Sequence, residues 1–212
     1  MTLIGMLDSP FVRRVAIAMD LCGLQFERLD WSVGRDFARI REFSPLGRVP
    51  ALVLDGGEVL VESSAILDYI DERVGTQQAL MPARGAERRD ALGVIALAVG
   101  AAEKGREQIY ENAFRPAEKR HEPWIERCRS QMHGALGELD RRCALRGDSP
   151  WLVAARMTHA DIAVAVITTF LADSPVVALD TGAYPALRAF VARCEALPAF
   201  RATHVPWFAP QA

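Results

Sequence analysis

The chain changes its hydrophobic period several times in its first third and then settles into one. Thr2–Leu7 is a short apolar run ending at Asp8-Ser9-Pro10, which predicts a buried strand followed by a helix start. Ser9 has the character of an N-cap with Pro10 at the first helical position, and Val12, Val15, Ala16, Met19 and Cys22 recur along one side of a helix closed by Gly23. Phe26–Trp31 reads as a second strand and Arg35–Phe43 as a short helix. Ser44-Pro45-Leu46-Gly47-Arg48-Val49-Pro50 is a loop rich in turn residues. Ala51–Leu54 and Glu58–Val61 flank Asp55-Gly56-Gly57, a strand, a turn and a strand. Ser63 or its neighbour then opens a helix expected to bury Ile66, Tyr69, Ile70 and Val74.

Beyond Gly75–Pro82 the strand signals disappear. Ala86–Phe114 carries Leu92, Ile95, Val99, Ala102, Ile109 and Tyr110 as a long helical stripe, and Ile125, Cys128, Met132, Leu136 and Leu139 mark a second. Thr158-His159-Ala160-Asp161 is a capping box with Asp in place of Glu, opening the most apolar helix of the chain. Pro185–Leu197 is a further helix, stopped by Pro198. The expected architecture is therefore an α/β unit of order β-α-β-α-β-β-α over residues 1–78, followed by an all-helical domain over residues 86–212.

Composition narrows the function classes. The 212 residues are 50% hydrophobic and 25% charged, an ordinary globular composition. With 25 basic against 27 acidic residues there is no field to recruit nucleic acid. The apolar stretch Ile162–Ala172 is too short for a membrane span of about 20 residues, and the amino terminus lacks the basic start of a secretory signal, so a cytoplasmic protein is expected. Cys22, Cys128, Cys143 and Cys194 are scattered without a C-x-x-C pair, and the four histidines lack metal-ligand spacing, so no metal is expected. No G-x-G-x-x-G follows a strand, which argues against a nucleotide cofactor.

Four motifs carry a resemblance: Ser9-Pro10-Phe11-Val12-Arg13-Arg14-Val15, the Ser44–Pro50 loop, Glu62-Ser63-Ser64-Ala65-Ile66-Leu67-Asp68-Tyr69-Ile70, and Thr158-His159-Ala160-Asp161-Ile162-Ala163. Together, and in this order, they resemble the cytosolic glutathione S-transferase family, with its thioredoxin-like N-terminal domain and helical C-terminal domain. Family members activate the glutathione thiol with Tyr, Ser or Cys. The first Tyr here is Tyr69, inside the third helix, and the first Cys is Cys22, at the far end of the first, so the resemblance implies a Ser-type member with Ser9 as the catalytic hydroxyl.

The resemblance further implies a glutathione site made of Phe11, Arg48, Val49, Pro50, Glu62 and Ser63. Pro50 resembles the family's cis-proline, which would turn the Val49 backbone toward the cysteinyl part of glutathione. Arg48 would reach the glycine carboxylate. The Ser63 hydroxyl and N–H would hold the α-carboxylate of the γ-glutamyl end, with Glu62 accepting from its ammonium. Tyr110, Phe114 and Trp207, with Phe208, are candidates to line an apolar electrophile cleft, although such residues are more often core than ligand contacts. The aromatic tail Val205–Phe208 either covers that cleft or caps the helical core. The function implied is conjugation of glutathione, the co-substrate, to a small electrophile by a homodimer. A glutathione-dependent isomerase or dehalogenase, or a non-catalytic binding protein of the same fold, is the alternative.

Overall fold

The computed structural model describes residues 1–209. Strands β1 (Thr2–Ile4), β2 (Glu27–Leu29), β3 (Ala51–Val53) and β4 (Val59–Val61) form one sheet in the order β2-β1-β3-β4, with β1 parallel to β2 and the other pairs antiparallel. Alternation along each strand divides its side chains between two layers. Leu3 and Leu52 join the large core with α1 (Pro10–Leu21) and α3 (Ser63–Val74), while Ile4 and Ala51 join Ile40 of α2 (Phe37–Phe43) on the opposite face.

The first strand is shorter than its apolar run. It ends at Gly5, which adopts φ +135°, and a Cβ there would lie 2.5 Å from Val12 Cγ2 and 2.8 Å from Val49 Cβ. A glycine is thus required for the close approach of three segments, and the chain leaves the sheet at that point. In α3 the apolar residues enclosed are Ile66, Leu67 and Ile70, whereas Tyr69 and Val74 are half-buried.

The helical part comprises α4 (Gly85–Phe114), α5 (Glu122–Leu145), α6 (His159–Asp173), α7 (Pro185–Glu195) and α8 (Pro198–Thr203). Pro198 does more than stop a helix: it occupies the first position of the next. The buried stripe of α4 differs from the one its largest apolar residues suggested. Ala91, Val94, Ala98, Ala101, Ala102, Gly105 and Ile109 face inward, Leu92 is 47% exposed, and Ile95 and Val99 are half-buried. Small residues bring α4 close to α6, so close that a Cβ on Gly105 would collide with Leu171. No helix among the described residues is long and apolar enough to cross a membrane.

The start of α6 carries the expected capping box. Thr158 Oγ1 accepts from the Ala160 N–H, and the Asp161 carboxylate accepts from the Thr158 N–H and hydroxyl at 2.8 and 2.9 Å. Asp161 also accepts from the Leu152 N–H at 2.8 Å, which ties the preceding loop to the core. Polar groups join the two parts as well. Asp71 of α3 accepts from the Leu80 and Met81 N–H groups in the connection and lies 3.0 Å from His159 Nε2 at the start of α6. On α1, Arg13 forms a bidentate pair with Glu195 of α7 at 2.8 and 2.6 Å and donates to the Phe200 carbonyl at 2.9 Å.

This packing sets the stability of three variants. Gly105→Ala should destabilise by about 1–3 kcal/mol through overpacking. Gly134→Ala, on the open face of α5, should stabilise by about 0.5–1 kcal/mol because alanine restricts the unfolded chain. Denaturant unfolding of both variants checks the opposite signs. Asp161→Ala, which strands buried donors, should cost about 2–4 kcal/mol and lower the melting temperature by several degrees. Its glutathione affinity, measured on folded protein, should stay at the wild-type value.

Candidate functional site

A cleft opens where α1 begins. One wall carries Asp8, Ser9, Phe11, Arg48 and Val49, with the segment Trp31–Val33 following β2. Facing it are Arg106, Ile109 and Tyr110 of α4, Phe170 of α6, and Trp207 and Phe208 of the tail.

Ser9 occupies the N-cap position of α1 in extended backbone, φ −68° and ψ 121°. Its carbonyl accepts from the Val12 and Arg13 N–H groups at 3.1 and 2.9 Å, so the backbone performs the helix start. The hydroxyl makes no capping bond and no hydrogen bond among the described residues. It remains available to the cleft at the positive end of a helix, a position that favours an anion. Asp8 beside it is pushed up to about 6, chiefly by burial and further by Asp30, with the Ser9 N–H opposing.

Arg48 is exposed at the rim. The Val49–Pro50 peptide bond is cis, and the Val49 N–H and C=O pair with no other backbone group among the described residues. Glu62, the N-cap of α3, has φ +73°, uncommon for a residue with a side chain. Its carboxylate accepts from the Ser64 N–H at 2.8 Å and from the Ser63 hydroxyl at 3.1 Å, and its side chain is 58% exposed. Ser63 differs from expectation, because its side chain is enclosed and its hydroxyl also accepts from Arg14 at 2.6 Å. The reason is Arg14 itself. Burial pulls this guanidinium down to about 10, partly offset by Glu62, and a buried cation needs acceptors, which Ser63 and Ser64 supply.

Tyr110 lines the cleft, where burial pushes its phenol up while Arg106 and Arg48 act in the opposite direction. Phe114 does not reach it. Four residues further along α4, it packs edge-on against Tyr110 at 5.0 Å between ring centroids and is 43% exposed. A four-residue step advances about 6 Å and turns about 40°, which carries Phe114 past the rim. Trp207 and Phe208 of the tail line the cleft, while Val205 of the same tail packs against the core. Asp8, the Trp31–Val33 segment, Arg106 and Phe170 also line the cleft, and no motif in the chain marks them for it. Arg106 alone left a signal, one helical turn before Tyr110 on the same face.

Comparison with known proteins identifies the family. Residues 3–78 match the family described as "Glutathione S-transferase, N-terminal domain", and residues 104–198 match "Glutathione S-transferase, C-terminal domain". A maleylacetoacetate isomerase from Pseudomonas aeruginosa is 31% identical over 199 residues, spanning 90% of this chain and 89% of the relative. A crystal structure of a glutathione S-transferase from Methylobacterium radiotolerans, in complex with glutathione sulfonate, is similar with a TM-score of 0.87 and 29% identity, covering 100% of this chain and 95% of that one. A glutathione transferase family member from Pseudomonas fluorescens with bound glutathione gives a TM-score of 0.84 and 30% identity, covering 97% and 98% of the two chains. With both halves matched in order and the cleft lying between them, the chain belongs to the glutathione S-transferase family.

Proposed function

We propose that the chain is a glutathione transferase in which the Ser9 hydroxyl holds the thiolate of bound glutathione for attack on a small electrophile. The observation that carries this reading is the uncommitted Ser9 hydroxyl, at the start of α1 and on the wall of a largely aromatic cleft. The glutathione complexes among the similar structures support the same ligand.

In this mechanism glutathione lies along the N-terminal wall. The free backbone groups of Val49 pair with its cysteinyl portion as an added strand, Arg48 meets the glycyl carboxylate, and Glu62 with the Ser63 N–H meets the γ-glutamyl end. The Ser63 hydroxyl, being enclosed, acts from behind by fixing Glu62. A free thiol titrates near ~8.5. The hydrogen bond from Ser9 and the helix end lower it; one to two pKa units correspond to about 1.4–2.7 kcal/mol. The proton leaves to solvent, the sulfur forms a bond to the electrophilic carbon, and the leaving group departs with its electron pair.

A glutathione-dependent isomerase is a second reading, favoured by the 31% identity to a maleylacetoacetate isomerase. It begins with the same thiolate, which adds to a conjugated double bond and is later expelled. We also propose a homodimer. The outer face of α4 presents Leu92, Ile95 and Val99 at helical spacing, an apolar stripe that a second subunit would cover.

Calorimetry tests the ligand: wild type should bind glutathione in the millimolar range or tighter, and Arg48→Ala should weaken it by about 1–2 kcal/mol through loss of a charge-assisted bond. An absence of binding at millimolar glutathione would sink the reading, and binding without turnover of any electrophile would leave a non-catalytic protein. Light scattering tests assembly: wild type should show twice the chain mass and Leu92→Arg a single chain mass, whereas a monomeric wild type refutes the dimer.

A further inference from the structure

We propose that Arg106 is a recognition residue for a carboxylate, so that the electrophile this cleft takes is a flat aromatic or conjugated acid. The proposal deepens the transferase reading and rests on its placement of glutathione along the N-terminal wall.

Two guanidinium groups line the cleft, Arg48 and Arg106. Glutathione has a use for Arg48, which leaves Arg106 on the opposite wall without a counterpart from the tripeptide. The Arg106 side chain is only 14% exposed, yet it is held loosely. A single nitrogen, Nη2, contacts Glu103 at 3.2 Å and Glu107 at 3.5 Å, and those carboxylates are 43% and 40% exposed and do not line the cleft. Exposed pairs of this length hold a cation weakly and release it at little cost. Nη1 has no hydrogen-bond partner among the described residues, and Nε is buried without one. A guanidinium with open donors in a partly dry site matches the planar fork of a carboxylate.

The rest of the cleft defines what carries that carboxylate. Trp31, Tyr110, Phe170, Trp207 and Phe208 offer ring faces or edges to a flat body, and the Arg106 guanidinium itself lies 5.7 Å from the Tyr110 ring centroid. Arg106 sits on the wall opposite Ser9 and draws the carboxylate toward α4, which directs the uncharged, electrophilic end to the thiolate. With a chloronitrobenzoate, the sulfur–carbon bond forms, the carbon–chlorine bond breaks, chloride leaves with the bonding electrons, and the carboxylate stays on Arg106.

The test compares a chloronitrobenzoate with its methyl ester, of the same shape but uncharged. Their binding is read by quenching of protein fluorescence, since Trp31 and Trp207 line the site. Wild type should bind the acid about tenfold or more tightly than the ester, as one charge-assisted pair implies. Arg106→Gln should bring that ratio close to one, and Arg106→Lys, which keeps the charge without the fork, should retain part of it. Equal affinity for acid and ester in wild type, or a ratio that survives in Arg106→Gln, overturns the proposal. Because this readout needs no turnover, the two readings fail separately. An acid preference that depends on Arg106, without conjugation by glutathione, supports the carboxylate site and sinks the transferase.

Discussion

The position of the first helix is the constraint on which the rest of the molecule depends. Two consecutive arginines of α1, Arg13 and Arg14, are 4% and 2% exposed and reach in different directions. Arg13 is forked onto Glu195 and the Phe200 carbonyl of the helical part, while Arg14 is held by Ser63 and Ser64 at the start of α3. Removing either set of partners would strand a buried cation, a change of about 3–5 kcal/mol in comparable pairs. Thr169 adds its hydroxyl to Glu195 at 2.7 Å, so α6 takes part in the same network. The helix is thereby located against both parts at once, and its amino end is located with it.

That placement creates the site. At Gly5 the backbone comes close enough to Val12 and Val49 to bring the strand end, the helix start and the cis-proline loop together. Ser9, the free Val49 backbone and Arg48 then share one wall because three segments converge on a residue without a side chain. The other wall is built by α4, whose small inward residues draw it onto α6 and set Arg106 and Tyr110 opposite Ser9. One wall is thus rich in backbone donors and acceptors suited to a peptide, and the other in rings and a cation suited to its reaction partner.

Much of this was legible in the chain, and what was not has physical reasons. The order of elements follows from period changes that need only local information, and the helix starts at Ser9-Pro10 and Thr158–Asp161 follow from capping chemistry. The outer end of β1 did not, because an apolar run carries no mark of the Val12 and Val49 side chains that crowd Gly5. The inward face of α4 does not follow its largest apolar residues, because the close approach to α6 selects alanine and glycine. Arg13 and Arg14 are buried because α1 is covered on both sides, a tertiary fact with no local trace. The enclosure of the Ser63 hydroxyl has the same origin, since Arg14 lies behind it only in the folded chain.

The proposed activation of glutathione turns on the hydroxyl left free at the start of α1 holding a thiolate. Its most direct test is a pH titration of the ultraviolet thiolate absorbance of glutathione bound to wild type and to Ser9→Ala, both at saturating protein. Bound glutathione should titrate one to two units below the free thiol, which ionises near ~8.5, and most of this shift should disappear in Ser9→Ala while glutathione remains bound. An unchanged titration in Ser9→Ala would contradict this role of Ser9 and assign the activation of the thiol to another group of the cleft.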